Sequence, residues 1–110
     1  MMITHYKVLS SKRFDRHLNT LDTRLNLSKE ESRAAIIEIK EAIKILKEKG
    51  TLPDELGYKL HILEKAPWVG FMEFHALEDV LVVYVEITKK RTIKLKGIYN
   101  HELLSTGQLD

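Results

Sequence analysis

His61, His75, Asp79 and His101 are the side chains in the second half of this 110-residue chain that could move protons or hold an ion. An unperturbed imidazole titrates near about 6.5, so it both gives up and accepts a proton at neutral pH. A carboxylate beside it can orient the ring, or accept a proton itself where its surroundings raise its pKa. The same four residues are possible zinc ligands, although their spacing is unlike a compact metal motif and no cysteine is present to join them. Each also has an ordinary explanation taken singly, since a turn aspartate such as Asp79 caps nearby backbone N–H groups. His5 in an opening strand and His17 beside an apolar helix face read as structural.

These residues need a frame that holds them together, and the hydrophobic pattern supplies one. The run Ile3–Leu9 alternates and is rich in β-formers, which predicts a first strand. Ser10 and Ser11 then offer a helix start, after which Phe14, Leu18, Leu21 and Leu25 recur at helical spacing and predict one amphipathic helix. Ser28 and Glu31 have capping-box spacing, so a second helix begins there, with Ile36, Ile39, Ile43 and Leu46 as its buried stripe. Gly50 ends it in a left-handed conformation, and Pro53 prevents its resumption. From Tyr58 the period changes to alternation, with strands expected at Tyr58–Ile62, Val69–Ala76, Val80–Ile87 and Arg91–Ile98. The stretch Val80–Ile87 is the most apolar and is expected at the centre of the sheet. His101–Leu104 reads as one helical turn. The expected fold is therefore α+β, an N-terminal strand and a two-helix hairpin packed on a mainly antiparallel sheet of four to five strands.

Composition narrows what such a frame does. The length suits one domain over residues 1–110, with one modest core and no room for a separate cofactor domain. No apolar run reaches the roughly 18 residues of a membrane span, and the N-terminus has no signal-peptide block, so a cytoplasmic protein without membrane contact is expected. The absence of cysteine excludes disulfides, thiolate zinc and a cysteine nucleophile. Residues 1–50 carry 11 Lys/Arg against 7 Asp/Glu, and residues 51–110 carry 7 against 9, so a basic first half could face phosphate or simply be a solvated helical surface.

The residues taken together resemble a known family. The run Leu52-Pro53-Asp54-Glu55, then His61, Trp68-Val69-Gly70, Glu73 and His75, then Asp79 and Tyr84, and finally Asn100-His101-Glu102-Leu103-Leu104, is similar to the YafQ branch of the RelE/ParE toxin superfamily. Trp68 to His75 is seven residues, His75 to Asp79 four and Asp79 to Tyr84 five. The resemblance implies an mRNA-cleaving toxin of a type II toxin-antitoxin system, acting on messenger RNA in the ribosomal decoding site and held inactive by a cognate antitoxin protein. It implies no cofactor, metal or small molecule, and a cleft lined by His61, His75, Asp79 and the C-terminal histidine. Two positions depart from the family pattern. Met72 stands where an arginine is common, and a gap-free overlay puts Asn100 at the C-terminal histidine position, one place before His101.

RNA cleavage of the implied kind uses the substrate's own 2′-hydroxyl as nucleophile. One group takes its proton, another protonates the leaving 5′-oxygen, and cations or donors meet the extra charge on the phosphate. On this reading His101 is the general acid, His61 or His75 the base, and Asp79 orients a histidine or accepts the hydroxyl proton. Arg91, Lys96 and Lys65 are the cations expected to contact RNA in place of the missing arginine, against the plain alternative that charges on an edge strand block aggregation. Two rivals use the same residues. A ParE-like toxin that inhibits a protein target such as gyrase would account for Met72 but leave three histidines without a role, and a zinc hydrolase would use His61, His75, Asp79 and His101 as ligands.

Overall fold

One strand, then helices, then four strands follow in the order the sequence predicts, and the helices between the first two strands pack on one side of the sheet. A computed structural model of the chain describes residues 5–107 and 109–110. Its strands are β1 (Lys7–Ser10), β2 (His61–Ile62), β3 (Met72–Leu77), β4 (Val80–Ile87) and β5 (Thr92–Tyr99), and its helices are α1 (Lys12–Asn19), α2 (Leu21–Leu25), α3 (Lys29–Lys49) and α4 (His101–Thr106). They form one five-stranded sheet in the order β1-β5-β4-β3-β2, in which β1 runs parallel to β5 and the other neighbours are antiparallel. β4 is central, as its apolar run requires. The predicted α+β class and layered packing are what is found. Positions Ile3 and Thr4 of the expected first strand lie outside the described residues.

The local signals act as physical chemistry says they should. Ser28 Oγ accepts from the Glu31 N–H at 3.0 Å, and Glu31 Oε1 accepts from the Ser28 N–H at 2.9 Å, so two orphan donors at the start of α3 are satisfied. Gly50 caps the other end at φ 75°, and its N–H donates to the Leu46 carbonyl at 2.8 Å. A Cβ there would also fall 2.3 Å from the Tyr6 ring, a constraint that the sequence does not announce.

Three expectations shift. The single helix over Phe14–Leu25 is two segments, because Thr20 leaves helical geometry at φ −121° and ψ 27° while its hydroxyl and N–H both donate to the Arg16 carbonyl. The break lets α1 lie along β5 while Leu21 and Leu25 of α2 turn into the core. The buried stripe of α3 runs through Ala35, Ile39, Ala42 and Leu46, with Ile36 and Ile43 on its half-buried flank. Small alanines bring the helix axis close to the sheet, which is why Ala35 and Ala42 join Ile39 at the deepest positions while Ile36 and Ile43 do not. Strand boundaries move where the backbone turns left-handed: Lys59 (φ 51°) limits β2 to His61–Ile62, Gly70 (φ 83°) delays β3 to Met72, and Arg91 (φ 47°) is excluded from β5.

His17 is a structural histidine. It is 4% exposed, its Nδ1 accepts from the Ile98 N–H at 2.9 Å, and its ring meets Tyr99 edge to face at 5.4 Å. Burial, reinforced by Arg24, Arg13 and Arg16, lowers its pKa from 6.5 to about 4. A histidine that the fold keeps neutral stabilises the native state fully above its unfolded pKa, and this contribution is lost as pH falls toward the folded value. Urea unfolding followed by circular dichroism is therefore expected to show stability declining between about pH 6.5 and pH 4, with a shallower decline in His17→Gln, whose amide oxygen can still accept from Ile98. Parallel profiles for the two proteins would remove His17 from that role.

Candidate functional site

Alternation along β3 splits its side chains between two environments. Phe74 and Ala76 enter the core under the helices, and Met72 packs against that core, while Glu73 and His75 face the other side of the sheet. β2 pairs His61 directly opposite Glu73, so those two side chains share that face. The floor beside them is a second apolar cluster of Trp68, Val83 and Tyr99, flanked by Leu63, Phe71, Leu103 and Leu104. Trp68 packs edge to face on Tyr99 at 5.0 Å and on Phe71 at 5.9 Å. Burial raises the Tyr99 phenol above its ordinary pKa, and its O–H donates to the Leu109 carbonyl at 2.7 Å.

The histidines form a row across this face. The His61 and His75 ring centres are 5.7 Å apart, and those of His75 and His101 are 5.6 Å apart. Asp79, in the turn between β3 and β4, accepts from the His101 backbone N–H at 2.8 Å, and the same oxygen lies 2.5 Å from His101 Nδ1. Of the two roles expected for Asp79, this geometry serves orientation: it fixes the start of α4 and turns the His101 ring toward His75. His75 Nε2 lies 3.4 Å from Glu73 Oε1. Asp79 and His101 are exposed, whereas His75 and Glu73 are sunk into the sheet surface.

The ambiguity at the chain end resolves in geometry. Asn100 is the N-cap of α4, its Oδ1 accepting from the Leu103 N–H at 2.8 Å, and the ring that joins the row is that of His101. Met72 lies on the helix side of β3, so a cation at that position would point away from the histidines. Lys65 lines a cleft of about 390 Å³ with Ile62, Trp68, His101 and Ser105. Lys96 is half-buried next to Ser11 and Lys94, at the register shift between β4 and β5 where Gly97 pairs with Val83 and Leu95 with Tyr84. Arg91 is not brought to the cleft: it precedes β5 while His101 follows it, which separates them by roughly 25 Å of strand.

Sequence reasoning passed over Glu73 as a site residue. A lone glutamate in an alternating strand looks solvated, and only the pairing of β2 with β3 reveals that it sits between two histidines. The metal grouping also differs from the expected one. Among the described residues the set whose ligand atoms all lie within 4.8 Å of one another is His61, Glu73 and His75, while Asp79 and His101 pair with each other.

The chain matches the family model described as the bacterial toxin of type II toxin-antitoxin system, YafQ, over residues 6–106. No curated protein matches significantly. Among solved structures it is similar to YafQ from E. coli strain BL21(DE3), with a TM-score of 0.64 and 20% identity over 90% of this chain and 97% of that one. The E. coli DinJ-YafQ toxin-antitoxin complex gives 0.63 and 20% over 92% and 98%, and the archaeal RelE-RelB complex from Pyrococcus horikoshii OT3 gives 0.61 and 21% over 88% and 96%. Identities this low speak for the fold.

The Trp68 cluster is the rigid support of the row, and its removal has a measurable cost. Trp68 is 4% exposed, so Trp68→Ala is expected to destabilise the chain by about 3 kcal/mol or more, and Trp68→Phe by clearly less. Urea unfolding monitored by circular dichroism tests this, and a Trp68→Ala chain as stable as the parent would contradict the packing described.

Proposed function

The chain belongs to the YafQ family of bacterial type II toxins, and on that premise we propose that it is a metal-independent endoribonuclease that cleaves messenger RNA, in the cytoplasm and on the ribosome, through attack by the 2′-hydroxyl next to the scissile phosphate. The observation that carries the reading is the row His61–His75–His101 with Asp79 fastened to its outer member.

Each step falls to a group in reach of its neighbour. His75 takes the proton of the 2′-hydroxyl, and Glu73 at 3.4 Å stabilises the imidazolium that forms. His101, held by Asp79 and open to solvent, protonates the departing 5′-oxygen. His61 donates to the phosphate oxygens or substitutes as base. Lys65 beside the cleft meets phosphate charge, Lys96 on β5 serves RNA further along, and Arg91, distant from the cleft, is left to flanking RNA or the ribosomal surface. The acid and base lie on one rigid sheet face with α4 pinned across it, so the reacting atoms need little reorganisation.

The partner follows from the family. The similar DinJ-YafQ structure is a toxin-antitoxin complex and RelE-RelB is likewise a two-protein complex, and we assign this chain a cognate antitoxin protein that covers the cleft or its basic surroundings. A gyrase-type inhibitor would need none of the histidine row. Among the described residues no helix is long and apolar enough to cross a membrane.

Three outcomes are expected. Expression without the antitoxin arrests growth and co-expression with it restores growth; normal growth at verified full-length expression would remove the toxin role. His101→Ala lowers the single-turnover cleavage rate by about 10² to 10⁴-fold, the worth of one proton-transfer group, while thermal unfolding is nearly unchanged because the residue is exposed. Cleaved messenger RNA carries a 2′,3′-cyclic phosphate or 3′-phosphate on one fragment and a 5′-hydroxyl on the other, and a single 2′-deoxyribose at the cut site abolishes cutting. Detection of 5′-phosphate ends would sink the mechanism in favour of a metal-activated water.

A further inference from the structure

We propose that Arg13, Arg16 and Arg24 frame a binding site for a phosphate group, and that the Asp110 side chain occupies this site in the free chain as an internal competitor. The site itself stands on geometry, and an RNA strand as the source of the phosphate rests on the nuclease reading given above.

The site lies across α4 from the histidine row. It is a pocket of about 510 Å³ whose lining includes Arg16, His17, Thr23, Arg24, Leu103 and Asp110. Leu103 borders this pocket, whereas His101, Leu104 and Ser105 border the cleft that holds Lys65. One helix, about 10 Å across, therefore separates the two, and an RNA strand lying in the cleft can continue over α4 to the arginines.

Three cations meet here and one acid answers them. Arg16 Nη2 donates to Asp110 Oδ1 at 2.9 Å, and Arg13 Nε lies 3.5 Å from the same oxygen. Among the described residues neither arginine has another ion-pair partner, and Arg24 has none. Arg24 is held in place by its Nε, which donates to the Ile98 carbonyl at 2.8 Å, and by the Tyr99 ring, whose centre lies 5.0 Å from the guanidinium carbon. Its Nη2 is enclosed without a hydrogen-bond partner, and so is Arg13 Nε. Burial lowers the Arg24 pKa, the mark of a desolvated cation short of opposing charge. The same three arginines reinforce the burial that keeps His17 neutral, so positive potential is focused on this wall.

A carboxylate serves such a set poorly. Asp110 gives one oxygen to two arginines and nothing to Arg24, whereas a phosphate presents oxygens in several directions, each able to accept from a guanidinium fork. The Asp110 and Arg16 side chains are 78% and 61% exposed, and ion pairs this open contribute little stability. Asp110 therefore holds the arginines together without barring a better anion.

The test uses the full chain and two probes: inorganic phosphate, and a short 2′-O-methyl oligoribonucleotide, which has no free 2′-hydroxyl to attack with. Both are expected to shift the side-chain Nε–H NMR signals of Arg13, Arg16 and Arg24 saturably and to leave that of Arg33 in place. Asp110→Asn should tighten oligonucleotide binding about two- to fivefold, the equivalent of one exposed ion pair, while Glu48→Gln, which removes an equal charge on α3, changes it less. Arg16→Ala and Arg24→Ala should each weaken binding about tenfold and lower its salt slope by about one, the signature of a lost phosphate contact, whereas Lys44→Ala does neither. Arg16 is exposed, so its variant keeps the test valid if Arg24→Ala fails to fold. Arginine signals that move with neither probe overturn the site. Such silence combined with lost antitoxin binding in the arginine variants would assign the pocket to an acidic protein segment instead. A response to inorganic phosphate alone overturns RNA as the source, and unchanged affinity in Asp110→Asn overturns the competitor. A chain that binds the oligonucleotide through these arginines but cuts no messenger RNA loses the nuclease reading and keeps the site.

Discussion

The helices α1 to α3 cover one face of the sheet only, and the candidate site follows from what must cover the other. A five-stranded sheet with an apolar central strand cannot leave both faces in water. Helices α1 to α3 bury one side, under which Phe74, Val82, Tyr84 and Ile93 are fully or nearly fully enclosed. On the opposite side Trp68 and Tyr99 act as a partial lid over Val83, and α4 lies beside them. The cover stops short of β2 and β3, and the histidine row stands in the uncovered part. The site is thus bordered by a packed aromatic cluster on one flank and solvent on the other.

That division explains why some of the chemistry is sunk and some is exposed. Glu73 and His75 point from the middle of β3, where the strand is paired on both sides, so their surroundings are crowded by neighbouring strands. His61 sits on the edge strand, and His101 and Asp79 sit beyond the ends of regular structure. The proton acceptor proposed above is held within the sheet and the proposed donor stands at its solvent margin, an arrangement that suits a reaction whose leaving group must depart. The β-bulge between His75 and Leu77 increases the local bend of β3 just before the turn that carries Asp79.

Much of this frame was legible from residue order. The capping box at Ser28, the stop at Gly50, the bounds of β4 and its central place all follow from local rules, because each depends on a few adjacent residues. The break at Thr20 escaped notice, since the apolar spacing through Phe14, Leu18, Leu21 and Leu25 is unaltered by a kink. Left-handed residues such as Lys59 and Arg91 carry no mark in the sequence, and they moved two strand boundaries. The four proposed catalytic residues were nameable because histidines near strand ends are conspicuous. Glu73 was hidden for the opposite reason: its importance comes from the register of a two-residue strand, and so short a strand has no periodicity to read.

The end of the chain shows how a one-residue displacement can be harmless. Within a strand, moving a side chain by one position sends it to the opposite face, so a histidine displaced from 100 to 101 would leave the cleft if β5 continued. β5 ends at Tyr99, however, and Asn100 turns the chain into α4 by capping it. The ring at 101 is then placed by helix geometry and by the Asp79 oxygen, which grips both its backbone N–H and its Nδ1. Strand parity no longer applies beyond Tyr99. What fixes the outer histidine is a carboxylate in a different turn, 22 residues earlier in the chain, and this is why local spacing alone left the choice between Asn100 and His101 open.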